Sequence, residues 1–128
     1  MSIVYEEKTN KSLNEALQVL EEKLKENNFG VLWQLNFKDK LAEKGLELED
    51  NFVVLEVCNP KQAKEVLEKN SQIGYVLPCK VVVRTEKKQT YIGMTSPETL
   101  IGLFDELELK DIAKDVEKSL KKAIIDSI

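Results

Sequence analysis

The sequence predicts an α+β fold, a single two-layer domain over residues 1–128 with helices packed mainly on one face of a mixed, largely antiparallel sheet. Segments with strand-like alternation and segments with helical periodicity interleave along the chain. Two strand-like segments, Lys80–Thr85 and Gln89–Met94, are joined by three polar residues, which indicates an antiparallel hairpin. No internal repeat or low-complexity linker interrupts the 128 residues, so we expect one core.

An amphipathic helix follows the first strand. Alternation over Ile3–Lys8 predicts that strand. Ser12 and Glu15 are spaced as a capping box, in which each side chain bonds to the backbone N–H of the other residue. Apolar residues at helical spacing then predict a helix to about Glu26, ended by an asparagine or by Gly30 in the left-handed conformation. The apolar stripe comprises Leu13, Ala16, Leu17, Leu20 and Leu24.

A second strand and a short helix precede the most apolar strand. Residues 31–37 alternate between two faces, which predicts a half-buried strand with Trp33 in the core. Residues 39–44 fit a short helix closed by Gly45, and an acidic loop follows. Phe52–Cys58 is the most apolar strand, so we expect it near the centre of the sheet.

The remaining helices begin with recognisable caps. Asn59 is placed to cap a helix over Lys61–Lys69, with Pro60 at the first helical position. Ser96 and Pro97 start another helix in the same way. The last helix carries a regular apolar stripe of Leu109, Ile112, Ala113, Val116, Leu120, Ala123 and Ile124.

Composition argues against several classes of function. The net charge is −4 and Arg84 is the only arginine, whereas a nucleic-acid-binding protein normally has a basic face. The absence of histidine removes the commonest general base and the commonest metal ligand. No apolar run approaches the ~20 residues that span a bilayer, and the N-terminus lacks the apolar core of a signal peptide. We therefore expect a cytoplasmic protein without a membrane partner, in which cysteines stay mostly reduced.

The candidate site lies in the segment Val53–Val83, which holds both cysteines, each beside a turn that contains proline. Cys58 stands where a strand meets a helix N-terminus, whose partial positive charge favours a thiolate or a bound anion. The negative charge of Glu56 would oppose formation of a thiolate and the positive charge of Lys80 would favour it, so the two effects oppose each other. The residues of this segment do not indicate a particular cofactor. The candidate ligand-binding residues are Glu56, Cys58, Asn59, Pro60, Pro78, Cys79 and Lys80. Two thiolates at Cys58 and Cys79 suit a soft metal ion.

Whether the two cysteines meet depends on the direction of the strand that follows Cys79. If this strand is antiparallel to Phe52–Cys58, the helix carries the chain ~13 Å away from Cys58. An extended return through Tyr75–Pro78 then brings Cys79 back to Cys58. If it is parallel, through a right-handed crossover, the cysteines lie ~20 Å apart. We favour the antiparallel arrangement, because two motifs of the same chemistry suggest a shared site.

A structural interpretation of the same residues stays open. Buried cysteines are commonly small hydrophobic residues without a chemical role. Asn59-Pro60 is also a good helix start, whatever else it does. Glu56 and Arg84 are placed to form an ion pair that needs no function.

Motifs in the segment Val53–Val83 and outside it match those of a known family. They are Cys58-Asn59-Pro60, Ala63, Gly74 and Leu77-Pro78-Cys79, with Asn28-Phe29-Gly30-Val31, Leu41–Gly45 and Ser96-Pro97-Glu98 outside this segment. In these residues the chain resembles the domain of unknown function 302 family, a group of small prokaryotic domains. The resemblance implies a compact α+β domain that forms a homodimer and has no established activity. Two positions depart from the family pattern, because Glu56 stands where a small residue is usual and Lys80 where asparagine is frequent.

The sequence is consistent with three functions. The first is a dimeric binding module with a small ligand or a thiophilic metal near Cys58 and Cys79. The second is an interaction protein that dimerises through the apolar residues of the uncovered sheet face. The third is a thiol-based redox enzyme, which is disfavoured by the lack of histidine and of a Cys-x-x-Cys spacing.

Overall fold

The computed structural model describes residues 2–128, which fold into two layers, one of strands and one of helices. The strands are β1 (Val4–Thr9), β2 (Gly30–Asn36), β3 (Phe52–Cys58), β4 (Cys79–Glu86) and β5 (Gln89–Thr95). The helices are α1 (Leu13–Glu26), α2 (Phe37–Ala42), α3 (Pro60–Lys69), α4 (Pro97–Gly102) and α5 (Lys110–Ile125), with 3₁₀ segments at Ser71–Val76 and Leu107–Leu109. The predicted α+β fold is confirmed.

The five strands form one sheet in the order β1-β5-β4-β3-β2. Every neighbouring pair is antiparallel, so the parallel pairing expected of a mixed sheet does not occur among the described strands. The middle strand is β4, and β3 lies beside it in the interior of the sheet. The hairpin between β4 and β5 turns at Lys87 and Lys88, whose φ angles of 49° and 71° are both left-handed, as a two-residue hairpin turn requires.

The helix starts follow the caps read from the sequence. In α1, the Ser12 side chain accepts from the Glu15 N–H and the Glu15 carboxylate accepts from the Ser12 N–H. Asn28, at φ 67°, is the left-handed residue after this helix. The Asn59 side chain caps α3 and the Ser96 side chain caps α4, each by accepting a backbone N–H three residues on.

The core lies between the helices and one face of the sheet. Along β3, Val53, Leu55 and Val57 are buried against helical residues. The stripe predicted for the last helix is also buried in this core, as are Ala16, Leu20 and Leu24 of α1. The alternate residues of the strands point to a second face that the helices leave open. None of the helices within residues 2–128 is both long and apolar enough to cross a membrane.

Two predictions about β2 and its surroundings are wrong. Trp33 is 49% exposed and not in the core, because β2 is an edge strand and Trp33 stands opposite Glu56 on the open face. The register also shifts between Val31 and Trp33, which interrupts the alternation that placed Trp33 inside. The short helix spans Phe37–Ala42, two residues earlier than expected, because the Asn36 side chain caps it.

The open face carries an ion pair that differs from the expected one. Arg84 does not pair with Glu56; its guanidinium donates two hydrogen bonds of 2.8 Å to the Glu6 carboxylate and a third to Glu86. The register explains the choice, because Arg84 on β4 is separated from Glu6 on β1 only by β5. The guanidinium also lies 4.3 Å above the ring centre of Tyr91, the β5 residue opposite Arg84.

Candidate functional site

A cavity of about 280 Å³ lies where the ends of β3 and β4 meet α3. The chain leaves β3 at Cys58, runs along α3, and returns to Cys79 through the 3₁₀ segment Ser71–Val76. Residues from α1, α4 and α5, or next to them, close the far side. The wall is largely apolar and includes Phe29, Ala63, Val66, Leu67, Ile101 and Val116.

The two cysteines both line this cavity, from neighbouring strands. Since β3 and β4 are antiparallel, Val57 stands opposite Cys79, and Cys58 is the next residue along β3. Both cysteines line the cavity, so the antiparallel arrangement favoured from the sequence is the one observed. The return path differs from the expected extended one, because Ser71–Val76 is a 3₁₀ helix and the Leu77–Pro78 peptide is cis.

Burial controls the protonation of both thiols. Burial raises the pKa of Cys58 above its ordinary value. Burial raises the pKa of Cys79 to about 11, and the nearby negative charge of an ionised Cys58 contributes to this shift. Both cysteines are free of disulfide bonds. Because their pKa values are raised, both thiols are protonated at neutral pH. Neither has the lowered pKa of an activated nucleophile.

The residues between and beside the cysteines divide into cavity wall and helix start. Asn59 lines the cavity, but its side-chain oxygen already accepts the N–H of Gln62 as the cap of α3. Pro60 occupies the first turn of the helix and is exposed. Pro78 is part of the cavity wall. Of the three, Asn59 and Pro78 are therefore placed to touch a ligand.

Glu56 and Lys80 lie outside this cavity. They face each other across β3 and β4 and line a separate depression of about 260 Å³, which shares Leu77 and Pro78 with the cavity. Neither charge is among the causes that shift the pKa of the cysteines. The opposing effects of these two charges that the sequence led us to expect therefore do not act on the thiols, since both charges border the neighbouring depression.

Several residues of the site were not among the candidate ligand-binding residues predicted from the sequence. The side-chain oxygen Oε1 of Gln62, a residue that lines the cavity, is buried without a hydrogen-bond partner. Ala63 leaves space in the wall through its small side chain. Gly74 does so too, because a Cβ atom there would lie 3.0 Å from Cδ2 of Leu67. The local signal for the cavity was therefore one small residue within α3 and another after it, a pattern that is too common to be diagnostic.

The cavity offers few donors to a metal ion. Within residues 2–128, no group of three or more His, Cys, Asp or Glu side chains is placed to hold a metal. Among the residues that line the cavity, Cys58 and Cys79 are the members of these four residue types. Two thiols are fewer than the four ligands of a structural zinc site.

Comparison with known proteins identifies relatives of the same fold. The sequence matches the family described as "Domain of unknown function DUF302" over residues 5–127. Among solved structures, the chain is similar to an uncharacterised conserved DUF302 protein from Bacillus stearothermophilus. The two are 43% identical, the match covers 100% of both chains, and the TM-score is 0.96. No curated protein matches the sequence.

Proposed function

The chain belongs to the DUF302 family, and we propose that it is a binding module that encloses a small, largely apolar molecule in the cavity beside Cys58 and Cys79. The observation that carries this proposal is the cavity itself, which has an apolar wall and two protonated thiols at one end. Ligand sites in proteins are concave, mostly apolar and few per protein, with a small number of polar groups that orient the ligand.

The volume of the cavity and the lack of charged side chains in its wall define the class of ligand. The volume of about 280 Å³ is just below the range of ~300–1,000 Å³ that is usual for ligand pockets, so the ligand is small. Apart from the two thiols, the lining residues carry no titratable side chain, and a charged ligand would lose its hydration without gaining an opposite charge. A neutral molecule with an apolar body therefore fits best.

The experiment that tests the proposal is native mass spectrometry of protein purified without denaturation. We expect a non-covalent adduct on the wild-type chain that is lost in Ala63→Leu, because the larger side chain fills part of the cavity. Glu65→Leu, an exposed position on the same helix, is the matched control and keeps the adduct. A bare chain in the wild type, together with no binding in a screen of neutral apolar molecules, would refute the proposal.

A second candidate function, self-association through the open sheet face, is supported by the exposed aromatic residues on that face. Trp33 is 49% exposed and Phe52 is 36% exposed. Large apolar side chains on an uncovered sheet face are often buried against another copy of the chain. Sedimentation equilibrium at micromolar concentration tests this candidate: a dimer that Trp33→Lys dissociates supports it, and a monomeric wild type refutes it.

A thiol-based redox enzyme is less well supported by this site than a binding module is. An attacking cysteine needs a thiolate, and burial raises the pKa of both cysteines. Protonated thiols inside an apolar wall are better suited to contacting a ligand than to attacking one. A cytoplasmic location agrees with two free thiols, since reducing compartments maintain them.

A further inference from the structure

We infer that Cys58 and Cys79 together form a two-coordinate site for a soft monovalent cation, Cu(I) or its analogue Ag(I). The inference rests on the cavity of the proposed binding function and names a second class of ligand for it. The apolar molecule would use the wall of the cavity, whereas the cation would use only the two sulfur atoms at its end.

The strand register places the two cysteines on neighbouring strands, with Cys58 as the last residue of β3. Cys79 faces Val57, and Cys58 follows one residue later on the same strand. Opposite residues of antiparallel strands have Cα atoms ~5 Å apart and one residue adds a rise of ~3.3 Å, which gives a separation of ~6 Å between the two cysteine Cα atoms. Both cysteines line one cavity, and the charge of one affects the pKa of the other.

The donor set selects the type of metal. Thiolates are soft ligands that prefer Cu(I), and zinc would require further protein ligands. Within residues 2–128, no third Cys, His, Asp or Glu side chain completes a cluster with the two cysteines. A cation that is satisfied by two sulfur ligands is therefore the one that this site can hold without help from other side chains.

Charge balance makes the binding dependent on pH. One Cu(I) replaces the protons of both thiols, so the product is a bis-thiolate complex of charge −1 and two protons are released to solvent. Burial opposes the charge of two free thiolates, but the cation cancels half of it, and the N-terminus of α3 begins directly after Cys58. The other lining residues of the cavity do not titrate, and Glu56 and Lys80 lie in the neighbouring depression.

The test is a titration with Cu(I), buffered by a chromophoric Cu(I) chelator, on the reduced full-length chain. We expect one Cu(I) per chain without a change in the oligomeric state of the protein. Since two protons leave per metal, the affinity should rise up to ~100-fold per pH unit below the pKa of the thiols. The single variants Cys58→Ser and Cys79→Ser should each lose at least ~100-fold in affinity. Cys58→Ala and Cys79→Ala, checked for an unchanged melting temperature, repeat the comparison with a different side chain.

The outcomes separate this inference from the proposed function. Unchanged affinity in either single variant, release of only one proton, or a metal that bridges two chains would overturn the inference. The double variant Cys58→Ser/Cys79→Ser is then tested with neutral apolar molecules. If these still bind while Cu(I) does not bind to the wild type, only the metal site is refuted. If neither ligand class binds to the wild type, the cavity is not a binding site and both proposals fall.

Discussion

The two faces of the β3–β4 strand pair have opposite chemistry, although they alternate residue by residue. On the helix-covered face, Val57 and Cys79 border an apolar cavity. One position away on each strand, Glu56 and Lys80 face solvent on the open side. The covered face is therefore where we propose that a ligand binds. Burial keeps the thiols protonated, whereas the open face carries a partly exposed ion pair.

The largest expected difference between the faces is in thiol reactivity. Because burial raises the pKa of Cys79 to about 11, its thiolate population at neutral pH is ~100-fold below that of an ordinary cysteine. Alkylation by iodoacetamide, followed by mass spectrometry, should therefore be at least ~100-fold slower at Cys79 than at a cysteine on the open face. Val82→Cys in a Cys58→Ser/Cys79→Ser background provides that reference. Equal rates at the two positions would show that Cys79 is not shielded by the covered face.

The next effect is on stability and uses two valines that are neighbours on β4. Val83 is fully buried on the covered face, whereas Val82 is half-buried on the open face. Val83→Ala should lower the free energy of unfolding by about 2–3 kcal/mol, from lost burial and the cavity left behind. Val82→Ala should cost less than about 1 kcal/mol. Urea denaturation measures both, and similar losses would mean that the open face is covered as well.

A smaller effect of opposite sign is expected at the buried amide of the cavity. The Gln62 Oε1 atom is buried without a hydrogen-bond partner, and such an atom costs about 1–3 kcal/mol. Gln62→Met keeps the length of the side chain and removes the unpaired oxygen, so it should raise the free energy of unfolding by about 1 kcal/mol. Gln18→Met, at an exposed position of α1, serves as the control and should change little. A destabilised Gln62→Met protein would show that the amide has a partner in solution.

The smallest effect is expected for the ion pair of the open face. Arg84 lowers the pKa of Glu6, mainly through its hydrogen bonds, so the pair stabilises the folded state above the unfolded pKa of glutamate, ~4.3. This contribution is lost as the pH falls through the lower pKa of the folded state. Glu6→Gln should therefore cost less than about 1 kcal/mol at neutral pH, because the pair is partly exposed. The difference from wild type should shrink as the pH falls below ~4.3; a difference that does not depend on pH would assign the effect to packing.

Local features of the fold were predictable from the sequence, and features that depend on strand order were not. The caps at Ser12, Asn59 and Ser96 were correct because a cap depends on residues three positions apart. Trp33 was misplaced because nothing local reveals that its strand is at the edge of the sheet. The partner of Arg84 was missed because Glu6 lies 78 residues away in sequence.

The candidate site was predictable only in part for the same reason. The meeting of Cys58 and Cys79 followed from a choice between two strand directions, and the antiparallel choice is the one observed. The separation of Glu56 and Lys80 from the thiols needed the register of both strands. The cavity wall could not be predicted, because Phe29 and Val116 reach it from elements on the far side of the core.

The most direct measurement of whether the cavity beside Cys58 and Cys79 accepts ligands is an NMR titration of the isotope-labelled chain with indole, a small, largely apolar probe. We expect saturable shifts confined to residues that line the cavity, such as Ala63 and Gly74, and their loss in Ala63→Leu. Shifts that centre on the open face around Trp33 and Arg84, or no shifts at millimolar indole, would contradict it.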